Sequence, residues 1–249
     1  MNGLTAADYA DTGQWRLIVK VRADGISAFI ENTIHTDLEP QLLFSTEWEP
    51  NGDNLLRNIE NAVYDHPRVL DDFSASVIVY DSKTLFMPTA VMEETEGAEE
   101  TIYTSIYEAD PAEVMVDIDS DLTAAHCLAK GLKGFLNRTF PGAKIESNLM
   151  SLVRKFRSNN EGARMYVVAR GAESDFVLLE DSDLLSASTH NTTGGATDVA
   201  YHAFNIIDVY GHSPLSTTIE LSGEDATDEL REIFCKLQHG EAISEKPQP

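Results

Sequence analysis

Basic residues are scarce: 18 Lys and Arg stand against 42 Asp and Glu in 249 residues, a formal net charge of −24. No Lys/Arg cluster is present to displace the counterions of a phosphate backbone, so nucleic acid and anionic lipid are poor partners. The surplus acid reads first as a solvated surface and second as a face that docks a basic protein. Cysteine is scarcer still. Cys127 and Cys235 each fall in an apolar helical pattern, which predicts buried free thiols rather than a disulfide framework. No apolar run approaches the roughly 20 residues a helix needs to cross a bilayer. The opening stretch MNGLTAADYADTG has neither the basic nor the apolar part of a secretion signal. A cytoplasmic protein is therefore expected, and the sequons at Asn137 and Asn191 carry little weight.

Motifs of familiar chemistry are also missing. There is no Walker phosphate loop, since Gly131-Leu132-Lys133-Gly134 is expected inside a helix, and no Gly-x-Ser-x-Gly elbow. The seven histidines show no paired metal-ligand spacing. As a calcium loop, the stretch from Asp117 has Leu122 where the turn glycine belongs and Leu128 where the bidentate Glu belongs.

What is there is patterned. Trp15–Arg22 alternates around Leu17, Val19 and Val21 and predicts a half-buried strand. Asp24-Gly25 is a turn dipeptide suited to positive φ, returning the chain as Ile26–Glu31. Gln41–Trp48 is a third strand. Asp53–Tyr64 is a helix capped by Asn51 or Asp53 and ended by His66-Pro67, and Phe73–Tyr80 is a central strand. The same β-β-β-α-β order returns about 150 residues later. Its parts are Arg164–Arg170, Asp175–Glu180, Leu184–Thr189, the helix Thr197–Tyr210 and the strand Thr217–Leu221, before the amphipathic Asp225–Leu237. Recurrence of the order suggests an internal duplication.

Between the copies, Leu85–Pro88 predicts an edge strand stopped by proline. Met92–Glu100 (MEETEGAEE) predicts a charged, mobile segment, and Thr101–Tyr107 and Val114–Ile118 predict strands. Asp121–Leu136 has the clearest helical spacing, with Leu122, Ala125, Ala129, Leu132 and Leu136 three and four apart. Ala143–Glu146 is a short strand, and Ser147 is placed to cap a helix carrying Leu149, Leu152, Val153 and Phe156. The expected organisation is a lead-in at 1–13, a first lobe at 14–118, connecting helices at 119–160, a second lobe at 161–238 and a disordered tail at 239–249.

Three antiparallel strands, a helix, a strand and a further helix describe the ribonuclease-H-like fold. Two such units in tandem resemble the actin-like ATPase architecture, an α/β class with mixed sheets. VRADGISAFI, DSKTLFMP, ARGAESDFVLLEDSDLL and IELSGE stand in that order between roughly Trp15 and Asp225. Through them the chain resembles a bacterial family known only as a domain of unknown function, number 3822. The resemblance implies an actin-like fold and no established activity.

In such a fold, two strand-to-strand turns hold nucleotide phosphates. Each needs an Asp for metal or water, and Gly or hydroxyl residues that let backbone N–H groups approach the oxygens. Asp24, Gly25 and Ser27 stand in a suitable order in the first turn, although a plain hairpin explains Asp24-Gly25 equally. The second turn, Gly171–Asp175, lacks Asp-x-Gly, and Glu173 would face the phosphates with like charge. Gly223 lies where such folds approach an adenosine, or else it ends a strand. Thr192-Thr193-Gly194-Gly195 could hold an anion at the following helix, or simply cap it. Asp117-Ile118-Asp119 resembles the opening motif of haloacid-dehalogenase-type phosphatases, nucleophile then general acid/base. Asp121, where Thr or Val is usual, adds repulsion there.

The residues therefore favour an interaction or scaffold module with degenerate phosphate turns and a protein partner, with no cofactor. An ATP- and magnesium-dependent switch or kinase using Asp24, Gly25, Ser27 and Gly223 is the first alternative. A phosphatase using Asp117 and Asp119 is the second.

Overall fold

The computed structural model describes residues 12–36, 38–50, 54–92, 97–158 and 160–238. The chain divides into two compact units, one ending at Asn148 and the other beginning at Leu149.

In the first unit, β1 (Trp15–Arg22) buries alternate residues, as its apolar period of two requires. It pairs antiparallel with β2 (Gly25–Asn32), and β2 pairs antiparallel with β3 (Gln41–Glu47). α1 (Leu55–Asp65) buries Leu55, Ile59, Ala62 and Val63, a stripe at helical spacing. That stripe carries the chain across the sheet to β4 (Ala75–Tyr80), which runs parallel to β1. The expected caps Asn51 and Asp53 lie outside the described residues.

An insertion follows. β5 (Thr84–Pro88), α2 (Thr89–Met92), α3 (Ala98–Ile106), β6 (Val114–Asp119) and β7 (Leu122–Cys127) build a three-stranded antiparallel sheet ordered β5-β7-β6. Met87, Met92, Tyr103, Val114 and Ala125 form its small core. The chain then returns through α4 (Leu132–Thr139) to β8 (Lys144–Ser147), parallel to β4, which completes a five-stranded sheet ordered β3-β2-β1-β4-β8.

The second unit opens with α5 (Asn148–Arg157), whose first residue belongs to the first unit. β9 (Ala163–Arg170), β10 (Glu173–Glu180) and β11 (Asp183–Asn191) form an antiparallel meander. α6 (Ala196–Val209) crosses to β12 (Thr218–Ser222), parallel to β9, and α7 (Asp228–Gln238) closes the unit. Its sheet is ordered β11-β10-β9-β12. Met165, Val167, Phe176 and Leu178 meet Val199, Ala203 and Ile207 of α6 and Leu230 and Phe234 of α7. On α5, Phe156 stacks on Tyr166 at 4.0 Å. The β-β-β-α-β order thus recurs, each time with the last strand parallel to the first.

The insertion corrects several expectations. Leu122–Cys127 is a strand, not the start of a helix. Five of its six residues are buried, and a central strand covered on both faces loses the alternation that would announce it. Cys127 is accordingly on a strand and half-buried, and Cys235 on α7 is exposed; both are free thiols. Thr101–Tyr107, expected as a strand for its β-branched and aromatic residues, lies mostly in α3. There the Thr101 and Thr104 hydroxyls donate to carbonyls of the preceding turn, and Tyr103 is buried. Glu99 and Glu100 sit in the first turn of α3, so the charged stretch is partly helical; its residues 93–96 lie outside the described residues. Residues 119–160 contain β7, α4, β8 and α5 rather than helices alone. Most of the expected lead-in and all of the expected tail fall outside the described residues.

Candidate functional site

The first phosphate-turn candidate is the β1–β2 hairpin. Arg22 pairs with Gly25 in register, leaving Ala23 and Asp24 as the turn. Neither Asp24 nor Gly25 has positive φ, so the expected reason for the dipeptide is wrong. Gly25 is instead demanded by close approach: an added Cβ would lie 2.9 Å from the Thr46 carbonyl oxygen of β3. Both turn carbonyls are occupied by Trp48, whose backbone N–H donates to Asp24 O at 2.8 Å and whose indole N–H donates to Ala23 O at 2.9 Å. The Asp24 carboxylate accepts from Arg22 Nε at 3.0 Å. Ser27 stands inside the ladder between Lys20 and Ser45, beyond the turn.

In the second unit, Gly171 and Ala172 make the corresponding turn, with Gly171 at φ 53°. It forms one wall of a cleft of about 480 Å³. Ser174, Thr192, Thr193, Gly195, Val199, Asp225, Thr227 and Glu229 are among the residues that line it. Ser174 and Thr192 are buried and share a hydroxyl contact of 3.0 Å.

Gly223 determines how the cleft is closed. It has φ 104°, and an added Cβ would overlap the Ala169 carbonyl oxygen and lie 2.8 Å from Ala169 N. Only a glycine passes so close to β9 in that conformation. The crossing brings Asp225 over the hairpin, where its backbone N–H donates to Ala169 O at 3.3 Å and its carboxylate accepts the Gly171 N–H. Next to the cleft, in the loop before α6, the Asp198 carboxylate accepts the Gly194 N–H at 2.7 Å. Within the cleft, the Asp225 carboxylate therefore stands on the Gly171 amide that a phosphate oxygen would need. The expectation named Glu173 as the repelling group, but the acids lining the cleft are Asp225 and Glu229. Beneath the turn, fully buried Asp175 accepts from Arg170 Nη2 at 2.8 Å and from Thr189 Oγ1 at 2.7 Å, and pairs its charge with Arg170.

Asp24, Gly25 and Ser27 thus belong to the first unit and Gly223 to the second. Asp225, Asp198, Trp48 and the Arg170–Asp175 pair were not singled out from the residues. The one local signal was the acid pair Glu224-Asp225 after Ser222-Gly223, in a loop the fold bends back over β9.

The phosphatase candidates sit on a hairpin. Asp117 and Asp119 are in β6, and Ser120, at φ 48°, turns the chain directly into antiparallel β7. No helix begins there, so the strand-to-helix context of that motif is absent. Asp117 is nearly buried, 3.9 Å from Lys144 Nζ, which also contacts Glu146 at 2.9 Å. His126, wholly buried on β7, has no hydrogen-bond partner among the described residues on either ring nitrogen. Burial pushes its pKa down to about 4, against the pull of Asp117. Among the described residues, no group of three His, Cys, Asp or Glu side chains is placed to hold a metal. No helix among them is long and apolar enough to cross a membrane.

The family model described as protein of unknown function DUF3822 matches residues 6–238. Among solved structures, a Bacteroides thetaiotaomicron VPI-5482 protein with an actin-like ATPase fold and unknown function is similar at TM-score 0.76 and 21% identity, covering 96% of this chain and 93% of its own. That likeness establishes the actin-like fold. A PilM–PilN type IV pilus biogenesis complex reaches TM-score 0.48 at 12% identity over 90% of this chain and 86% of that one. An exopolyphosphatase from Cytophaga hutchinsonii ATCC 33406 reaches 0.43 at 9% over 93% and 73%. No curated protein matches the chain.

Proposed function

The chain belongs to the family described as protein of unknown function DUF3822, and we propose that it is a non-catalytic interaction module that binds a protein partner. The observation that supports this most directly is the Asp225 carboxylate on the Gly171 amide. A polyphosphate entering that cleft would have to displace an anion already held there, against the further charge of Glu229. In the first hairpin the turn presents carbonyl oxygens, already bonded to Trp48, and Ser27 is withdrawn into the ladder. The acidic balance of the chain favours a partner with basic groups.

A nucleotide-dependent switch is the second reading, supported by the size of the cleft and its glycine and threonine lining. It requires the Asp225 side chain to swing away from the Gly171 amide.

Thermal unfolding with millimolar ATP or ADP and magnesium separates the two. The module reading expects no upward shift. Ligand at a hundredfold its Kd would stabilise the native state by about 2.7 kcal/mol; a shift of that size overturns the module reading.

A further inference from the structure

A strand at a sheet edge offers its outward N–H and C=O groups to any extended chain that meets it. β11 is the longest edge strand among the described residues: nine residues, against seven in β3, six in β6, five in β5 and β12, and four in β8. The others carry features that discourage pairing. β3 lies between Glu39-Pro40 and Glu49-Pro50, and β5 ends in Pro88. β6 holds Asp117 and Asp119, β8 holds Lys144 and Glu146, and Glu220 of β12 is paired with Arg164. β11 has no proline and no charged residue between its ends, Asp183 and Asn191.

Its only ladder partner among the described residues is β10, and no backbone hydrogen bond reaches its outer side there. The register shift opposite Leu178 and Leu179 leaves Leu185 out of the pairing, so Ser186–Asn191 is the regular stretch. Its residues are small or polar: Ser186, Ala187, Ser188, Thr189, His190 and Asn191. Charge stands at both ends instead. Glu180, Asp181 and Asp183 are exposed beside the bulge, and exposed Glu173 faces Asn191 at the other end.

We propose that the outer edge of Ser186–Asn191 pairs with an extended segment of a partner protein, neutral along its middle and carrying Lys or Arg at its ends. This rests on the interaction-module reading and names the surface that reading would use. Backbone hydrogen bonds supply the attachment, and the acidic ends choose the partner and its placement. A second copy of this chain is the poorer occupant, because it brings the same acidic ends and the same charge of −24.

The test uses the full chain, labelled with nitrogen-15, and a synthetic peptide of alternating Thr and Val flanked by lysines. At millimolar peptide, amide exchange at Ser186–Asn191 should slow about tenfold or more. A glutamate-flanked peptide, and a lysine-flanked one with alternate backbone nitrogens methylated, should leave it unchanged. Unchanged exchange at β11 with the lysine-flanked peptide overturns the proposal, and so does equal slowing by the methylated peptide, which means contact without strand pairing. Concentration-dependent dimers in sedimentation, with the same amides protected and no peptide present, give the edge to a second copy and overturn the choice of partner. ATP binding measured separately would remove the module reading and leave the β11 result standing.

Discussion

The β1–β2 and β9–β10 hairpins have the same place in the two units, and each first strand ends in an arginine, Arg22 and Arg170. They are closed by opposite chemistry. The first turn presents carbonyl oxygens, and Trp48 covers them with donors. The second, tipped into the left-handed region at Gly171, presents an amide, and Asp225 covers it with an acceptor. The ion pairs differ in the same way. Arg22–Asp24 is open to solvent, with the Asp24 side chain 51% exposed, whereas Asp175 is fully buried against Arg170 at 15%. One topology thus sets strand order and direction, while the polarity of each turn is set by whatever loop crosses it. A turn that holds phosphate offers free amides; of these hairpins one offers carbonyls and the other an amide already occupied.

Breaking the buried pair tests this hardest. Asp175→Ala removes a fully buried carboxylate that pairs with Arg170 and accepts from Thr189, and should cost about 3–5 kcal/mol in urea unfolding. The same substitution at Asp24 should cost less than about 0.5 kcal/mol, because an exposed pair contributes little. Equal losses would mean that the two hairpins are not differently built. Next in size is Gly223→Ala, expected to destabilise by about 3 kcal/mol through overlap with Ala169 and its positive φ. Gly25→Ala meets a single backbone oxygen at an ordinary φ and should lose about half as much or less.

The third prediction concerns polarity that the insertion of the first unit buries. His126 has a native pKa near 4, below its unfolded value of about 6.5. The unfolded chain therefore binds the extra proton between those pH values. Native stability is full above about pH 6.5 and falls by on the order of 3 kcal/mol as pH drops toward 4. His126→Met should leave stability at pH 7 unchanged or higher, since neither ring nitrogen is hydrogen-bonded among the described residues. It should also flatten the acid limb relative to the parent protein; parallel limbs would sink the assignment. In the second unit His190 is also held low, first by burial and then by His202, whose ring stacks on it at 4.4 Å. Replacing His190 should shift the acid limb in the same direction as His126→Met but by less, because His190 is only half-buried.

How much was legible follows from which signals are local. The alternation of Trp15–Arg22 reported a half-covered sheet, and the structure has that strand; Arg164–Arg170 was legible as an apolar run between basic ends, and β9 holds it. The helices that pack one stripe on a sheet, α1 and α6, were equally plain. Leu122–Cys127 was not, because a strand covered on both faces has no alternation, and Leu122 and Ala125 fit a helix as well. In α3, tertiary packing of Tyr103 prevailed over the strand preference of Thr, Ile and Tyr. At the candidate site, the glycines were visible and their purposes were not.

By itself, then, the sequence determined the two β-β-β-α-β units, the amphipathic helices, the acidic charge and the family, since each depends on residues near one another or on the chain as a whole. Tertiary structure alone decided that Gly25 yields to Thr46, that Gly223 lets the chain cross Ala169, and that Asp225 ends on the Gly171 amide. Those contacts join residues 21, 54 and 54 positions apart, and nothing local to either partner encodes the distance between them.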